Sequence, residues 1–314
     1  MGAMSGTTCL VTGATSGIGK ETALRLALLG ATVVIVARDA ARGAAAGAEI
    51  TGRVPLARVE VMAADLSSLA QVRRLAGDVL GRHGRLDVLV NNAGVISPHC
   101  ELTADGLETT FATNHLGPFL LTALLCGLLE RSAPARVVTV SSAAHKQVRA
   151  IPWDDLPRGA QSGQGQAYPL SKLLNILFTT ELARRLAGTG ITANCLHPGF
   201  VRTGLGRDMT GVLGAVLPLI LRLRPGPLAG ARTPVYLASS AEVAGVTGGY
   251  FVNCKPAAPS ALAEDTQSAA RLWTLSEDLA DLPRRLAATC LERRRAASTV
   301  RPPSACARTP SPRR

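Results

Sequence analysis

Short runs of consecutive apolar residues alternate along this chain with longer stretches whose apolar positions recur every three or four residues. Residues 8–11, 31–37, 59–63, 86–90, 136–140 and 191–196 are of the first kind, and such runs predict strands buried on both faces. Between them the spacing predicts a helix reaching Leu29, a second capped by Asp39, a third capped by Ser67 or Ser68 and running to about Leu80, two helical segments over 102–129, and a helix over 166–186. Further on, a helix near 232–239, a short strand at 250–253 and an amphipathic helix around 266–279 complete the pattern. Strands alternating with helices of this length predict an α/β fold, a single doubly wound parallel sheet with helices on both faces, over residues 1–285.

Composition narrows the classes. The chain has 314 residues, 47% of them hydrophobic, yet no run reaches the roughly 18 apolar residues of a membrane-spanning helix. The first strand begins almost at once, with no basic and apolar leader before it, so a signal peptide is not expected and a cytoplasmic location is. The seven cysteines are scattered, odd in number and never in a C-x-x-C, which argues against a zinc site or a disulfide framework and for a reducing compartment. A net charge of +12 suggests nucleic acid until it is located: residues 284–314 hold nine arginines and one acid, Glu292, so +8 lies there and only +4 elsewhere. Residues 286–314 therefore read as a basic, disordered tail, and no specific nucleic-acid partner is expected.

Candidate chemistry gathers at the strand ends. Thr12-Gly13-Ala14-Thr15-Ser16-Gly17-Ile18-Gly19 lies between a strand and a helix, where glycines let backbone N–H groups approach a pyrophosphate. Arg38-Asp39 follows the second strand, where an acid binds a ribose 2′-OH and an arginine a 2′-phosphate. Arg38 is read as the phosphate ligand, with Arg42 assisting, against the alternative that it is merely solvated. Asp65-Leu66 ends the third strand and Asn91-Asn92-Ala93-Gly94 the fourth; Asn91 and Asn92 bond either the neighbouring strand or a ligand. Asn114, in mid-helix, can hold a water against a backbone carbonyl. Ser141-Ser142 ends the fifth strand, and a long polar connection with room for Trp153 leads to Tyr168-Pro169-Leu170-Ser171-Lys172. Tyr168 and Lys172, four apart, share one helix face, so an ammonium lies beside a phenol and is expected to lower its pKa toward that of a working general acid/base. His197 precedes Pro198-Gly199 and reads as structural. Residues 211–223 form the most apolar stretch, either a lid over a lipophilic pocket that also contacts a membrane surface or a buried helix.

Taken together and in this order, the TGxxxGIG run, NNAG, the serine pair, YxxxK and the Pro-Gly turn resemble the short-chain dehydrogenase/reductase family over about residues 5–280. More narrowly, Leu102-Thr103-Ala104-Asp105-Gly106, Asn114-His115-Leu116-Gly117, the long serine-to-tyrosine connection and Tyr250-Phe251-Val252-Asn253-Cys254 resemble its retinol dehydrogenase-like branch. The resemblance implies a Rossmann-type fold and hydride transfer between NADP(H), rather than NAD, and a lipophilic aldehyde, ketone or alcohol. Tyr168 would be the general acid/base, Lys172 would lower its pKa and hold the nicotinamide ribose, Ser142 would bond the substrate oxygen, and Asn114 would support a proton-relaying water. Gly13, Ser16, Gly17, Ile18 and Gly19 would take the pyrophosphate, Asp65 and Leu66 the adenine side, Asn92 the cofactor crevice, and Val201 with Thr203 the carboxamide side. Family members are commonly dimers or tetramers. A non-catalytic NADP(H)-binding sensor is the competing reading, and the intact Asn114, Ser142, Tyr168 and Lys172 argue against it. Pro169 beside Tyr168 requires that both lie in the first helical turn. The apolar N-terminal anchor usual in membrane-bound retinol dehydrogenases is not seen in this sequence.

Overall fold

The structure, a computed structural model, describes residues 2–97, 101–159, 166–199 and 226–282. Val201, Thr203, residues 211–223 and the basic tail lie outside them.

Within these residues one eight-stranded sheet runs in the order β3-β2-β1-β4-β5-β6-β7-β8. Its strands are β1 (Thr8–Thr12), β2 (Thr32–Ala37), β3 (Val59–Ala63), β4 (Val88–Asn91), β5 (Ala135–Val140), β6 (Ile191–His197), β7 (Tyr250–Val252) and β8 (Lys255–Pro256). All neighbours are parallel except β7 and β8, which form a hairpin through Asn253 and Cys254, both at positive φ. The reversal between β1 and β4 leaves a crevice at the carboxyl ends of those strands, where doubly wound sheets take their ligands.

The continuous apolar runs are explained by the layers. Leu10, Val34, Val36, Leu89 and Val137 face α3 (Leu69–Arg82), α5 (Gly117–Arg131) and α6 (Ala167–Arg185). Cys9, Val11, Val33, Ile35 and Val138 face α1 (Gly17–Leu28), α2 (Ala40–Arg53) and α8 (Arg232–Ser239), which follows a single turn, α7 (Pro227–Gly230). The central strands β1, β2, β4 and β5 thus bury both of their faces. The helix α6 is buried on nearly every side because it lies between the sheet and α9 (Thr266–Leu279), whose Trp273 meets Phe119 at 5.0 Å and stacks on Phe178 at 6.1 Å.

One expected helix is shorter than its pattern. Residues 102–108 form a turn closed by a Leu102–Glu108 bridge, with Gly106 at φ +73°, and helix begins only at α4 (Thr109–Phe111). The cause is local. Thr103 Oγ1 accepts the Asp105 N–H, and the buried Glu108 carboxylate caps the N–H groups of Thr110 and Phe111 at 2.8 and 2.6 Å. A π-helical turn, Ala112–Leu116, then joins α4 to α5. The continuous helix Thr109–Arg131 is long and apolar enough to cross a membrane, but 89% of its most apolar window is packed inside the fold.

Candidate active site

Glycines shape the crevice above β1. Gly13 (φ +67°) and Gly17 (φ +59°) adopt the left-handed conformation, and Gly17 opens α1. A Cβ on Gly13 would lie 2.7 Å from Ala93 Cα, and one on Gly19 would lie 2.5 Å from Gly13 O and collide with Asn92 Nδ2. Asn92 explains the collision: its amide donates to Thr12 O at 2.8 Å and Gly13 O at 3.2 Å, lashing the NNAG loop to the glycine turn. Thr12 completes the tie, because its hydroxyl accepts the N–H groups of Asn92 and Ala93, each at 3.0 Å. Of the alternatives for the two asparagines, both bond protein: Asn91 donates to Thr122 Oγ1 at 3.0 Å.

The side chain of Asp65 holds Ser67 through N–H and hydroxyl at 2.9 and 2.8 Å, Leu66 is buried beside it, and Ser68 caps α3. Asp39 caps α2 by accepting the Arg42 N–H at 2.8 Å. Arg38 projects exposed from the end of β2. A left-handed glycine turn opening onto the N-terminus of α1, with a guanidinium at the next strand end, fits a dinucleotide bearing a 2′-phosphate.

On the β5 side the site is made of buried polar side chains. The first residue of α6 is Ala167, so Tyr168 and Pro169 are in its first turn, and the Leu170 N–H makes the bond to Gln166 O. Pro169 therefore removes no helical hydrogen bond. Lys172, one turn on, places Nζ 5.5 Å from the centre of the Tyr168 ring and donates to Val140 O at 3.1 Å. Ser142 caps a 3₁₀ turn, Ala143–Gln147, and lies beside the Tyr168 phenol. Asn114, fully buried in the π-helical turn, accepts the Val95 N–H at 2.8 Å and donates to Val95 O at 2.9 Å and to Ser171 Oγ at 3.0 Å. Ser171 in turn donates to Tyr168 O at 2.8 Å, so Asn114 reaches the first turn of α6 through one hydroxyl. Gly94 fits between these groups: a Cβ there would be 3.3 Å from Lys172 Nζ and 3.5 Å from Asn114 Oδ1.

The electrostatics differ from the expected pattern. Burial pushes the Tyr168 phenol above its ordinary pKa, and the Ser142 hydrogen bond acts in the opposite direction. Burial also brings Lys172 down to about 8. The expectation that the ammonium lowers the phenol is corrected here: desolvation is the largest influence on the phenol and raises its pKa, and the Ser142 side chain, not Lys172, acts against it. At neutral pH the pair is a neutral phenol beside an ammonium, a proton donor rather than a phenolate.

Sequence reading brought Tyr168, Lys172, Ser142, Asn114 and Asn92 to one crevice, and the structure assembles them. It missed Thr12 and Ser171 as parts of the site, although both stand inside the motifs. His197 is buried at the end of β6. It borders a cavity of about 530 Å³ with Pro198, Gly199, Arg232, Tyr250 and Ala143, the residue that follows Ser142.

A profile of the short chain dehydrogenase family matches residues 7–211. The chain belongs to that family. It is 44% identical over 298 residues to human (Homo sapiens) retinol dehydrogenase 14, a match that covers 90% of this chain and 88% of that one, so it is retinol dehydrogenase-like within the family. Among solved structures it resembles an uncharacterized protein from Mycobacterium Paratuberculosis, with a TM-score of 0.71, 37% identity and coverage of 88% of this chain and 94% of that one. It also resembles the RhlG/NADP active-site complex of Pseudomonas aeruginosa, with a TM-score of 0.64, 30% identity and coverage of 79% and 94%. These relationships make it a Rossmann-type oxidoreductase.

Proposed function

We propose that this oxidoreductase uses NADP(H) to interconvert a lipophilic, retinal-like aldehyde or ketone and its alcohol, with Tyr168 as the general acid/base. The observation that carries the reading is the Tyr168 phenol beside the Ser142 side chain, with the buried ammonium of Lys172 on the same helix face, 5.5 Å from the ring centre. A binding module has no need of a half-buried phenol set beside a hydroxyl and a buried ammonium.

In reduction, the Tyr168 hydroxyl gives its proton to the substrate oxygen while Ser142 orients that oxygen by a hydrogen bond. The elevated pKa of the phenol keeps the proton in place at neutral pH until the substrate oxygen takes on charge. Lys172, held by Val140 O, lies close enough to stabilise the phenolate left behind. Asn114 anchors Val95 and, through Ser171, the start of α6, so the donor is preorganised. When bound, NADP(H) supplies or accepts the hydride. Gly13, Ser16, Gly17, Ile18 and Gly19 would take its pyrophosphate, Arg38 its 2′-phosphate, Asp65 and Leu66 its adenine, Tyr168 and Lys172 the nicotinamide ribose side, and Val201 and Thr203 the carboxamide, with Asn92 shaping the cofactor crevice. The glycine cradle, the exposed Arg38 and the likeness to an NADP complex support that cofactor. The names of the relatives support a retinoid-like substrate. The buried thiols of Cys9, Cys126 and Cys195, none of them in a disulfide, fit a reducing compartment such as the cytoplasm.

The test is oxidation of NADPH and NADH, followed separately, with all-trans-retinal and a panel of aromatic and aliphatic aldehydes, using Tyr168→Phe as the control. Turnover with NADPH that the variant loses is the expected result. Turnover that the variant keeps removes Tyr168 from the reaction, and NADPH binding with no turnover across the panel favours a non-catalytic sensor.

A further inference from the structure

His145 has no part in the reading above, yet it is fully buried three residues after Ser142. Its Nδ1 lies 2.6 Å from Ser142 O, and its backbone N–H reaches the same carbonyl at 3.2 Å. On the other side of the ring, Nε2 lies 3.0 Å from the Ser260 backbone nitrogen. The ring also meets Tyr250 of β7 edge-on at 5.2 Å. The partners decide the tautomer. A carbonyl only accepts and a backbone N–H only donates, so Nδ1 carries the proton and Nε2 is the acceptor. Only the neutral imidazole protonated on Nδ1 satisfies both bonds. Burial, with Lys146 adding to it, keeps the ring below the ordinary histidine pKa and so in that neutral form.

Ser142 is where this bond matters. Its backbone is extended (φ −158°, ψ 154°), and its hydroxyl accepts the Ala144 N–H at 3.2 Å and lies beside the Tyr168 phenol. Rotation about ψ of Ser142 swings its carbonyl and the following turn together, so a restraint on the carbonyl fixes where Ala144 N–H stands and hence where the hydroxyl points. Restraint at two points, the ring and the backbone N–H of His145, removes that freedom.

We propose that His145 is a positioning residue for the Ser142 hydroxyl: its Nδ1–H pins the Ser142 carbonyl while Nε2 ties the ring to Ser260 in the segment after β8. This rests on the reading of Ser142 as the group that orients the substrate oxygen. It divides the two ring nitrogens by task. Nδ1 serves the reaction, and Nε2 serves the fold.

Amide side chains separate the two tasks. In His145→Asn the carboxamide nitrogen stands near the former Nδ1 and can still donate to Ser142 O, whereas in His145→Gln the carboxamide reaches the former Nε2 and serves Ser260. The experiment measures kcat, KM for NADPH and melting temperature for wild type, His145→Asn, His145→Gln and Ser142→Ala. Expected are a kcat for His145→Gln on the order of tenfold or more below wild type, substantial rescue in His145→Asn, and an unchanged KM for NADPH in both, because the defect lies in orientation. A merely structural histidine would make kcat follow the melting temperature, with Asn no better than Gln, and that result overturns the proposal. Ser142→Ala separates the layers. If it loses turnover while His145→Gln keeps it, the positioning role fails and the site stands. If Ser142→Ala keeps wild-type turnover, the reading of Ser142 fails and the proposal falls with it.

Discussion

The crevice has two sides built by opposite means. On the β1–β4 side the structure works by leaving side chains out: Gly13 and Gly19 stand where a single added methyl would strike Ala93, Asn92 or a carbonyl oxygen. On the β5–α6 side it works by packing polar side chains together: Asn114 and Ser171 are hydrogen-bonded, Ser171 holds the Tyr168 carbonyl, and Lys172 lies against the Tyr168 ring beside Ser142. The first side accommodates a ligand through backbone and space; the second holds a proton at a defined atom. Errors on the two sides should therefore read out differently. An intruding atom harms fold and binding at once, while a lost hydrogen bond leaves buried groups unsatisfied and disturbs chemistry.

Gly19→Ala is the most disruptive small change. The added Cβ forces the Asn92 side chain or the glycine turn to move, at about 1–3 kcal/mol of folding free energy for overpacking, and NADPH affinity falls with it; thermal melts with and without NADPH check both. Asn114→Ala should cost a similar or somewhat smaller amount, about 1–3 kcal/mol, by stranding Val95 and Ser171, and denaturant titration should show this with kcat reduced and NADPH affinity retained. Arg38→Ala removes one charge-assisted contact, worth about 1.5–3 kcal/mol, so NADPH binding should weaken roughly 10- to 100-fold with NADH binding and stability unaltered. If both cofactors weaken equally, Arg38 does not read the 2′-phosphate.

The smallest effect is graded with pH. Burial holds His115 at about 3, and it lowers His145 and His197 as well. Between those values and the ordinary pKa near 6.5 the unfolded chain binds more protons than the folded one, so the histidines' contribution to stability falls as pH drops from about 6.5 toward 3 and is level above that window. Melting curves across the range should show the decline, and His115→Asn should make it shallower.

Much of the fold was legible because buried parallel strands leave continuous apolar runs; β3 has the bounds its pattern predicted, and the other long strands differ by a residue or two. The 102–108 stretch misled because its apolar spacing suits a helix, while Thr103, Gly106 and Glu108 carry local bonds that favour a turn and then a cap. The two-residue β8 was too short to show a period. The glycine side of the site was readable because glycines at strand ends mark backbone geometry directly. The polar side was readable only as a set of candidates. Asn114 binds Val95 and Ser171, and His145 binds Ser260, 115 residues away, so their partners exist only after folding. The direction of the Tyr168 shift was hidden for a related reason, since four-residue spacing reveals proximity to Lys172 but not how deeply both groups are buried.

The most direct measurement is an NADPH titration of Tyr168→Phe beside wild type, followed by turnover of the same samples. If the crevice is divided as argued, the variant binds NADPH within about twofold of wild type while its kcat falls on the order of 10²–10⁴-fold, the share a general acid contributes. A variant that binds NADPH and still turns over at the wild-type rate would show that the proton comes from elsewhere and would contradict the account.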